Sequence, residues 1–213
     1  TIVINSVIQY FPSLDHLRKV IRGAMSLLAP GGALFLGDVR DLRQARVLQT
    51  GIQAARGAEP LRRAVDRGLA LEKELLVDPD WFTTLGVGVD LRTKRGRRHN
   101  ELTRYRYDVV LYADTADTAD TADTADTGRL DEVPGTQWGA DLTRLLSGTD
   151  PFRVRRIPDA RTAADLAAMR AMDAEPAPAA GEEPEDVRRL GECHGFRVLT
   201  TWSDEPGFFD AVF

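Results

Sequence analysis

Residues 1–11, T-I-V-I-N-S-V-I-Q-Y-F, are dense in β-branched and aromatic side chains without strict alternation. That is the pattern of a strand buried on both faces, usually in a parallel sheet. Pro12-Ser13 offers a stop followed by an N-cap. Leu14, Leu17, Ile21, Ala24 and Leu28 then recur at helical spacing and predict an amphipathic helix with one apolar stripe. Pro30-Gly31-Gly32 ends that helix, and Ala33 to Val39 reads as a second buried strand. Strand, helix and strand with short connections form a βαβ unit, which is parallel and right-handed in nearly all cases.

Helical patterns follow over Gln44 to Ala55 and over Pro60 to Leu76, with Pro60 suited to a first turn. Asp78-Pro79 predicts a cap and first turn for a short helix through Leu85 that buries Trp81 and Phe82. Val87 to Lys94 and Leu102 to Tyr112 read as strands, and their short polar connection implies an antiparallel pair. From Ala113 to Thr127 the chain repeats A-D-T five times, a period that fits neither helix nor strand and points to a solvated spacer. The repeat lacks the glycine turn and terminal glutamate of an EF-hand loop, which argues against calcium binding. Beyond it, the pattern predicts a helix over Trp138 to Leu146, a strand over Phe152 to Ile157 and a helix over Thr162 to Met172. After a Pro/Ala/Glu linker come a helix over Glu185 to His194 with Gly195 as its stop, and strands over Phe196 to Trp202 and Phe208 to Phe213. The division expected is thus 1–112, a 113–135 spacer, and a small α+β unit over 136–213.

Composition narrows the classes. A chain of 213 residues that is 43% hydrophobic can bury a substantial core. No apolar run reaches the roughly 20 residues that cross a bilayer, and no basic-then-apolar leader is present. Thr1 already lies in an apolar run with no initiator methionine, which suggests a piece of a longer chain. The formal charge is −5, but without the five aspartates of the repeat the chain is neutral, so nothing argues for nucleic acid or an anionic membrane as partner. Cys193 is the single cysteine, which excludes an internal disulfide and suits a reducing cytoplasm. It shows no ligand spacing with His16, His99 or His194, so no metal is expected. Cys193 and His194 are neighbours on a helix end and point about 100° apart, which excludes a nucleophile–base pair.

Chemistry concentrates at the end of the first strand, where Asn5, Ser6, Gln9 and Tyr10 interrupt an apolar run. Ligands of open α/β sheets bind outside the carboxyl ends of the strands. V-I-N-S-V-I-Q-Y-F-P-S, L-A-P-G-G-A-L-F-L-G-D-V-R-D-L, L-V-D-P-D-W-F and H-N-E-L-T-R-Y-R-Y-D-V-V-L follow one another in that order. Together they resemble the motifs of class I S-adenosylmethionine-dependent methyltransferase domains of nonribosomal peptide synthetases, which often interrupt an adenylation domain. I-P-D-A-R-T-A-A-D-L and the closing F-D-A-V-F fit the same family.

The resemblance implies a Rossmann-like sheet of seven strands, with Thr1 to Phe11 as the fourth and Ala33 to Val39 as the fifth. Val87 to Lys94 and Leu102 to Tyr112 would be its antiparallel final pair. It implies S-adenosyl-L-methionine as cofactor and, as partners, an upstream half of the domain and flanking adenylation and thiolation domains. It further implies methyl transfer to the α-amino nitrogen of a carrier-bound aminoacyl or peptidyl thioester. Gln9 and Tyr10 would aim the amine, Asn5, Ser6 and Val7 would face the cofactor, and Asp38 and Arg40 the substrate. The family's Gly-rich loop should precede Thr1, and Gly86-Val87-Gly88 is no substitute because no helix follows it. The residues alone leave structural readings open. Gln9 and Tyr10 can instead cap the strand and pack under the next helix. Asp38, Arg40 and Asp41 can pair with one another or cap a helix, and Glu101, Arg104, Arg106 and Asp108 can form an ion-pair ladder on one strand. A non-catalytic remnant serving as scaffold, and an oxygen- or carbon-directed methyltransferase, remain as other functions.

Overall fold

The computed structural model describes residues 1–113, 134–139, 142–178 and 180–213. The A-D-T segment falls almost wholly outside the described residues. The architecture is α/β, with two mixed four-stranded sheets side by side.

The first sheet comprises β1 (Ile2–Asn5), β2 (Ala33–Arg40), β3 (Gly88–Thr93) and β4 (Arg106–Tyr112), in the order β1-β2-β4-β3. β1 runs parallel to β2, and β4 is antiparallel to both β2 and β3. The carboxyl ends of β1, β2 and β3 therefore share one edge with the amino end of β4. The predicted βαβ unit is present, its helix being α1 (Leu14–Ser26), capped by the Ser13 side chain on the His16 amide. Strand alternation sends Leu34, Leu36, Val89, Leu91, Val109 and Leu111 to one face, where they meet Ile8, Leu17, Ile21, Val77 and Phe82 in one core. Phe82 comes from α4 (Pro79–Thr83), whose Asp78 cap and Pro79 stand where the sequence places them.

Two long strand predictions are shortened. The strand expected over Thr1 to Phe11 stops at Asn5, because Ser6 takes a left-handed conformation (φ 55°) and a 3-10 turn, Ile8–Tyr10, follows. Nor is it buried on both faces: Val3 is 62% exposed. The strand expected over Leu102 to Tyr112 begins only at Arg106. Asn100 accepts from the Thr103 amide, the Thr103 hydroxyl accepts from the Asn100 amide, and this capping box turns Glu101–Tyr105 into α5. The charge ladder is thus split, with Arg106 bound to Glu101 at 2.6 Å and Arg104 bound to Asp165 at 3.2 Å. Between β2 and α4 lie α2 (Ala45–Ala55) and α3 (Leu61–Ala70), the latter shorter than its pattern, with Pro60 at the cap position.

The second sheet comprises β5 (Gly135–Gln137), β6 (Arg153–Pro158), β7 (Leu199–Trp202) and β8 (Phe208–Val212), in the order β5-β6-β8-β7. Its helices are α6 (Thr143–Leu146), α7 (Ala163–Met172) and α8 (Pro184–Cys193), with Gly195 left-handed (φ 83°) just past α8. The helix expected over Trp138 to Leu146 is reduced to α6. β5 precedes it, a strand too short to show a period. Phe152, Val154, Ile157, Val187, Phe209 and Phe213 form this sheet's core. A third cluster of Val47, Leu48, Tyr105, Leu166 and Met169 packs α2 against α7 and so ties the halves together. No helix among the described residues is long and apolar enough to cross a membrane.

Candidate functional site

The carboxyl edge of the first sheet gathers the polar residues that the sequence singles out. Asn5 pairs in register with Gly37 on β2. A β-carbon on Gly37 would lie 1.8 Å from Asn5 Oδ1, so only glycine lets the Asn5 side chain lie across the neighbouring strand. β2 bulges at the next residue: its register against β4 slips between Leu36 and Val39, and Asp38 takes φ 61°. A bulge re-aims a side chain, and here it carries the Asp38 carboxyl to the edge. Ser6 Oγ donates to Asp38 Oδ2, Asn5 Nδ2 donates to Ser6 Oγ at 3.0 Å, and the Ser6 amide donates to Gly37 O at 3.1 Å.

Lys94, just past β3, completes the cluster. Its ammonium donates to Asp38 Oδ1 at 2.7 Å and to Asp108 Oδ1 at 2.9 Å, and Asp108 Oδ1 also accepts the Asp38 amide at 3.0 Å. Burial raises the pKa of Asp38, but the hydrogen bonds from Lys94 and Ser6 and the charges of Lys94 and Arg106 outweigh it and hold the carboxyl below its ordinary value. Burial disfavours the Lys94 cation, yet both carboxylates hold its pKa above the ordinary range. The cluster is a row in which the Lys94 ammonium lies between the Asp38 and Asp108 carboxyl groups. Lys94 carries no motif, and only its place one residue beyond a strand at the ligand edge marks it in the sequence. A cavity of about 350 Å³ adjoins this row and takes Asp108 into its wall, together with Phe35, Arg92, Arg95 and Arg188.

Gln9 and Tyr10 part company. Gln9 is 4% exposed; its Nε2 donates to Ser6 O at 3.0 Å and its main-chain oxygen accepts the Leu75 amide at 2.7 Å. A carbonyl oxygen cannot face Ser6 O, so the amide is oriented with Oε1 away from it. Gln9 Oε1 is buried and finds no donor among the described residues. An unmatched buried acceptor costs about 1–3 kcal/mol. Tyr10, by contrast, is 71% exposed and is not packed under the following helix. Asn5, Ser6 and Val7 are exposed at the end of β1, open to a ligand.

Arg40 and Asp41 lie one turn away, on other business. Arg40 is 8% exposed and binds Glu72 and Glu74, each at 2.9 Å. Asp41 accepts the Arg43 amide at 2.8 Å in the turn ahead of α2 and does not cap that helix, whose cap position is Gln44 without a side-chain bond. Asp38 is the member of that trio that reaches Ser6 and Lys94. Cys193 is exposed, and no cluster of three metal-ligating side chains occurs among the described residues.

No protein-family model matches the chain. It is similar to segments of nonribosomal peptide synthetases. The chain is 44% identical over 212 residues to the probable non-canonical nonribosomal peptide synthetase CymA of Salinispora arenicola, covering 95% of this chain and 3% of that protein. It is 40% identical over 183 residues to chondramide synthase cmdD of Chondromyces crocatus, covering 79% of this chain and 5% of the other. With cyclosporin synthetase simA of Tolypocladium inflatum the identity is 35% over 178 residues, covering 76% and 1%. The chain therefore spans only a few per cent of the length of these relatives.

Proposed function

We propose that the chain is the carboxyl-terminal part of a methyltransferase domain that acts in nonribosomal peptide biosynthesis. The reaction proposed is transfer of a methyl group from S-adenosyl-L-methionine to the α-amino nitrogen of a carrier-bound aminoacyl or peptidyl thioester. Its partners would be an upstream half of the same domain and neighbouring adenylation and thiolation domains. The relatives support the pathway. Two parallel strands followed by an antiparallel pair support the Rossmann-like methyltransferase reading, since the resemblance implies that sequence of strands. The observation that carries the site is the orphaned, buried Gln9 Oε1 beside the end of β1.

The exposed backbone and side chains of Asn5, Ser6 and Val7 fit a ligand lying across the end of β1, and would hold the cofactor there. When bound, S-adenosyl-L-methionine supplies an electrophilic methyl group. The rest falls to this chain's own groups. An α-amine titrates near ~8, so a useful fraction is neutral in the cell and no strong base is needed. Gln9 Oε1, buried in this chain and with no donor among the described residues, would accept an N–H of that amine once the amine docks at the end of β1, and turn its lone pair toward the methyl group. The Tyr10 hydroxyl, free in solvent, closes over the same amine. The Asp38–Lys94–Asp108 row fixes Ser6 and thereby the main-chain oxygen that orients Gln9. Such positioning supplies most of the acceleration when no covalent step is required of the protein.

The test restores an upstream half by fusion or co-expression and compares Gln9→Ala and Tyr10→Phe with the unaltered chain. Each should lower kcat and kcat/KM together, several-fold to about tenfold, for a lost hydrogen bond of ~1 kcal/mol, with cofactor affinity little changed. Normal turnover in both variants would overturn the positioning role. No turnover in the restored, unaltered domain would favour the scaffold reading instead.

A further inference from the structure

The two sheets have the same plan. Each has an outer strand parallel to the next, and then an antiparallel strand shared with the fourth, so that β1-β2-β4-β3 corresponds to β5-β6-β8-β7. The irregularities correspond as well. β6 bulges against β8 between Val154 and Ile157, as β2 does against β4, and the bulged Arg156 takes φ 59° where Asp38 takes 61°. The Arg156 amide donates to Asp210 Oδ1 at 2.9 Å, matching the Asp38 amide on Asp108 Oδ1 at 3.0 Å. Asp159 accepts the Arg161 amide at 2.9 Å, as Asp41 accepts that of Arg43 at 2.8 Å. Each aspartate forms a parallel backbone bridge, Asp41 to Val77 and Asp159 to Glu182, and two residues beyond each partner stands the proline that opens α4 or α8. Aligned at the bulges, Asp41, Arg43, Ala45 and Leu48 have identical counterparts in Asp159, Arg161, Ala163 and Leu166.

The contacts between the halves are reciprocal. α2 packs on its counterpart α7 and β3 lies against its counterpart β7. Arg43 Nη1 donates to the carbonyl of Ser203, just past β7, at 3.2 Å. Its counterpart Arg161 donates from Nη1 to the carbonyl of Lys94, just past β3, at 3.0 Å. When residue i of one half meets j of the other and the counterpart of i meets the counterpart of j, the interface is that of a twofold dimer.

The site chemistry is not repeated. Register places Gln137 and Trp138 where Asn5 and Ser6 stand, Arg156 where Asp38 stands and Ser203 where Lys94 stands. The retained aspartate, Asp210, is bound to Arg153 at 2.7 Å instead of to a lysine. We infer that residues 135–213 are a diverged second copy of the unit formed by residues 2–112, joined to it as the halves of a twofold dimer are joined, and that Arg161 is a positioning residue for Lys94 of the first copy. The duplication stands on geometry alone, while the importance given to Lys94 rests on the site proposed above. Arg161 is 4% exposed and held rigid by Asp159 at 2.7–3.1 Å, so its grip on the Lys94 carbonyl is a fixed one.

The test uses the full 213-residue chain and needs no methyl transfer, so its failure is distinct from that of the proposed activity. Amide hydrogen exchange is followed by mass spectrometry in the unaltered chain and in Arg161→Met, Arg161→Lys and Arg43→Met. Each methionine variant should loosen the opposite half: Arg161→Met should speed exchange over residues 94–100 about five- to tenfold, the loss of one hydrogen bond, and Arg43→Met should do so over 203–207. Lys94 should become several-fold more reactive toward an amine-acylating reagent in Arg161→Met, since a lysine held between two carboxylates stays protonated, and Arg161→Lys should restore part of the protection. Loosening confined to residues 157–172 in Arg161→Met, with Lys94 reactivity unchanged, would overturn the positioning role. If Arg161→Met does not fold, unchanged Lys94 reactivity and unchanged exchange over residues 94–100 in Arg161→Gln, whose side chain ends short of the Lys94 carbonyl, do so. Loosening confined to residues 39–56 in Arg43→Met would overturn the twofold junction.

Discussion

Asp41→Asn should make the chain more stable, and increasingly so as the pH rises. Asp41 lies at the end of β2 with 9% exposure. Burial strips its carboxylate of water and raises its pKa to about 7, against the opposing pull of the Arg43 main-chain N–H and guanidinium. The folded chain therefore keeps this carboxyl protonated at pH values where the unfolded chain, with an ordinary aspartate, has ionised it. A raised pKa contributes nothing unfavourable below about pH 4, where both states hold the proton. Between about pH 4 and pH 7 the unfolded state binds fewer protons, so stability falls as the pH rises and levels off beyond the folded pKa. Three pH units at 1.36 kcal/mol each set an upper bound of about 4 kcal/mol, and an observed difference of about 2–4 kcal/mol is expected. Asparagine has the same shape and keeps the oxygen that accepts the Arg43 amide, but it has no proton to lose. Urea unfolding of both chains at intervals from about pH 4 to 8 reads the effect, with equal m-values required for the comparison. The difference in unfolding free energy should grow with pH in favour of Asp41→Asn. Parallel profiles would show that the folded protein ionises Asp41 at an ordinary pH, and would refute the burial argument.

Lys94→Met should leave Asp38 without its cation, moving the Asp38 pKa upward in a carboxyl-carbon NMR titration and costing about 1–3 kcal/mol at neutral pH; an unmoved titration would detach Lys94 from the site. Phe82→Ala, at a side chain with 0% exposure between α4 and the sheet, should cost about 3–5 kcal/mol in urea unfolding, and a cost under about 1 kcal/mol would contradict the packing. The 213-residue chain alone should bind S-adenosyl-L-methionine only weakly in calorimetry, because its Gly86-Val87-Gly88 turn leads into β3 and not into a helix N-terminus that could hold the cofactor; micromolar affinity would mean that the cofactor site is misplaced.

Much of the first sheet was legible because its signals are local and mutually consistent. Leu17 and Ile21 at helical spacing, Ser13 before them and Pro30-Gly31-Gly32 after them specify α1 and its ends. Asp78-Pro79 does the same for α4. The failures lie where a few polar contacts override an apolar pattern. Nothing in N-S-V-I-Q-Y-F requires β1 to stop at Asn5; the Ser6 turn and the burial of Gln9 are decided by Asp38 and Leu75, distant in sequence. The capping box of Asn100 and Thr103 likewise overrides the β-rich composition of Y-R-Y-D-V-V-L and holds the strand back to Arg106. At the site, Asn5, Ser6, Gln9 and Tyr10 were visible as polar breaks at a strand end, while Asp38 came only through the resemblance. Lys94 was hidden, since its role comes from topology that brings the end of β3 beside β2 and β4.

The second copy separates what the fold requires from what the site requires. Left-handed backbone at a non-glycine residue is costly, about 1–3 kcal/mol, and such strain at a candidate site invites a functional explanation. By that argument Asp38 at φ 61° calls for one. Yet Arg156 holds φ 59° at the equivalent bulge, with an aspartate on the facing strand accepting its amide in the same way, and its side chain binds Glu205 rather than a serine or a lysine. The bulge and its aspartate are therefore structural, the device by which this strand pairing turns its edge. What belongs to the site is narrower. It consists of the residue placed on the bulge, the Ser6 and Lys94 groups that fix its carboxylate, and the Gln9 oxygen left without a donor. Of these the orphaned oxygen is the one that a purely structural account leaves unexplained: Gln9 Nε2 is used on Ser6 O, but no group among the described residues donates to Oε1.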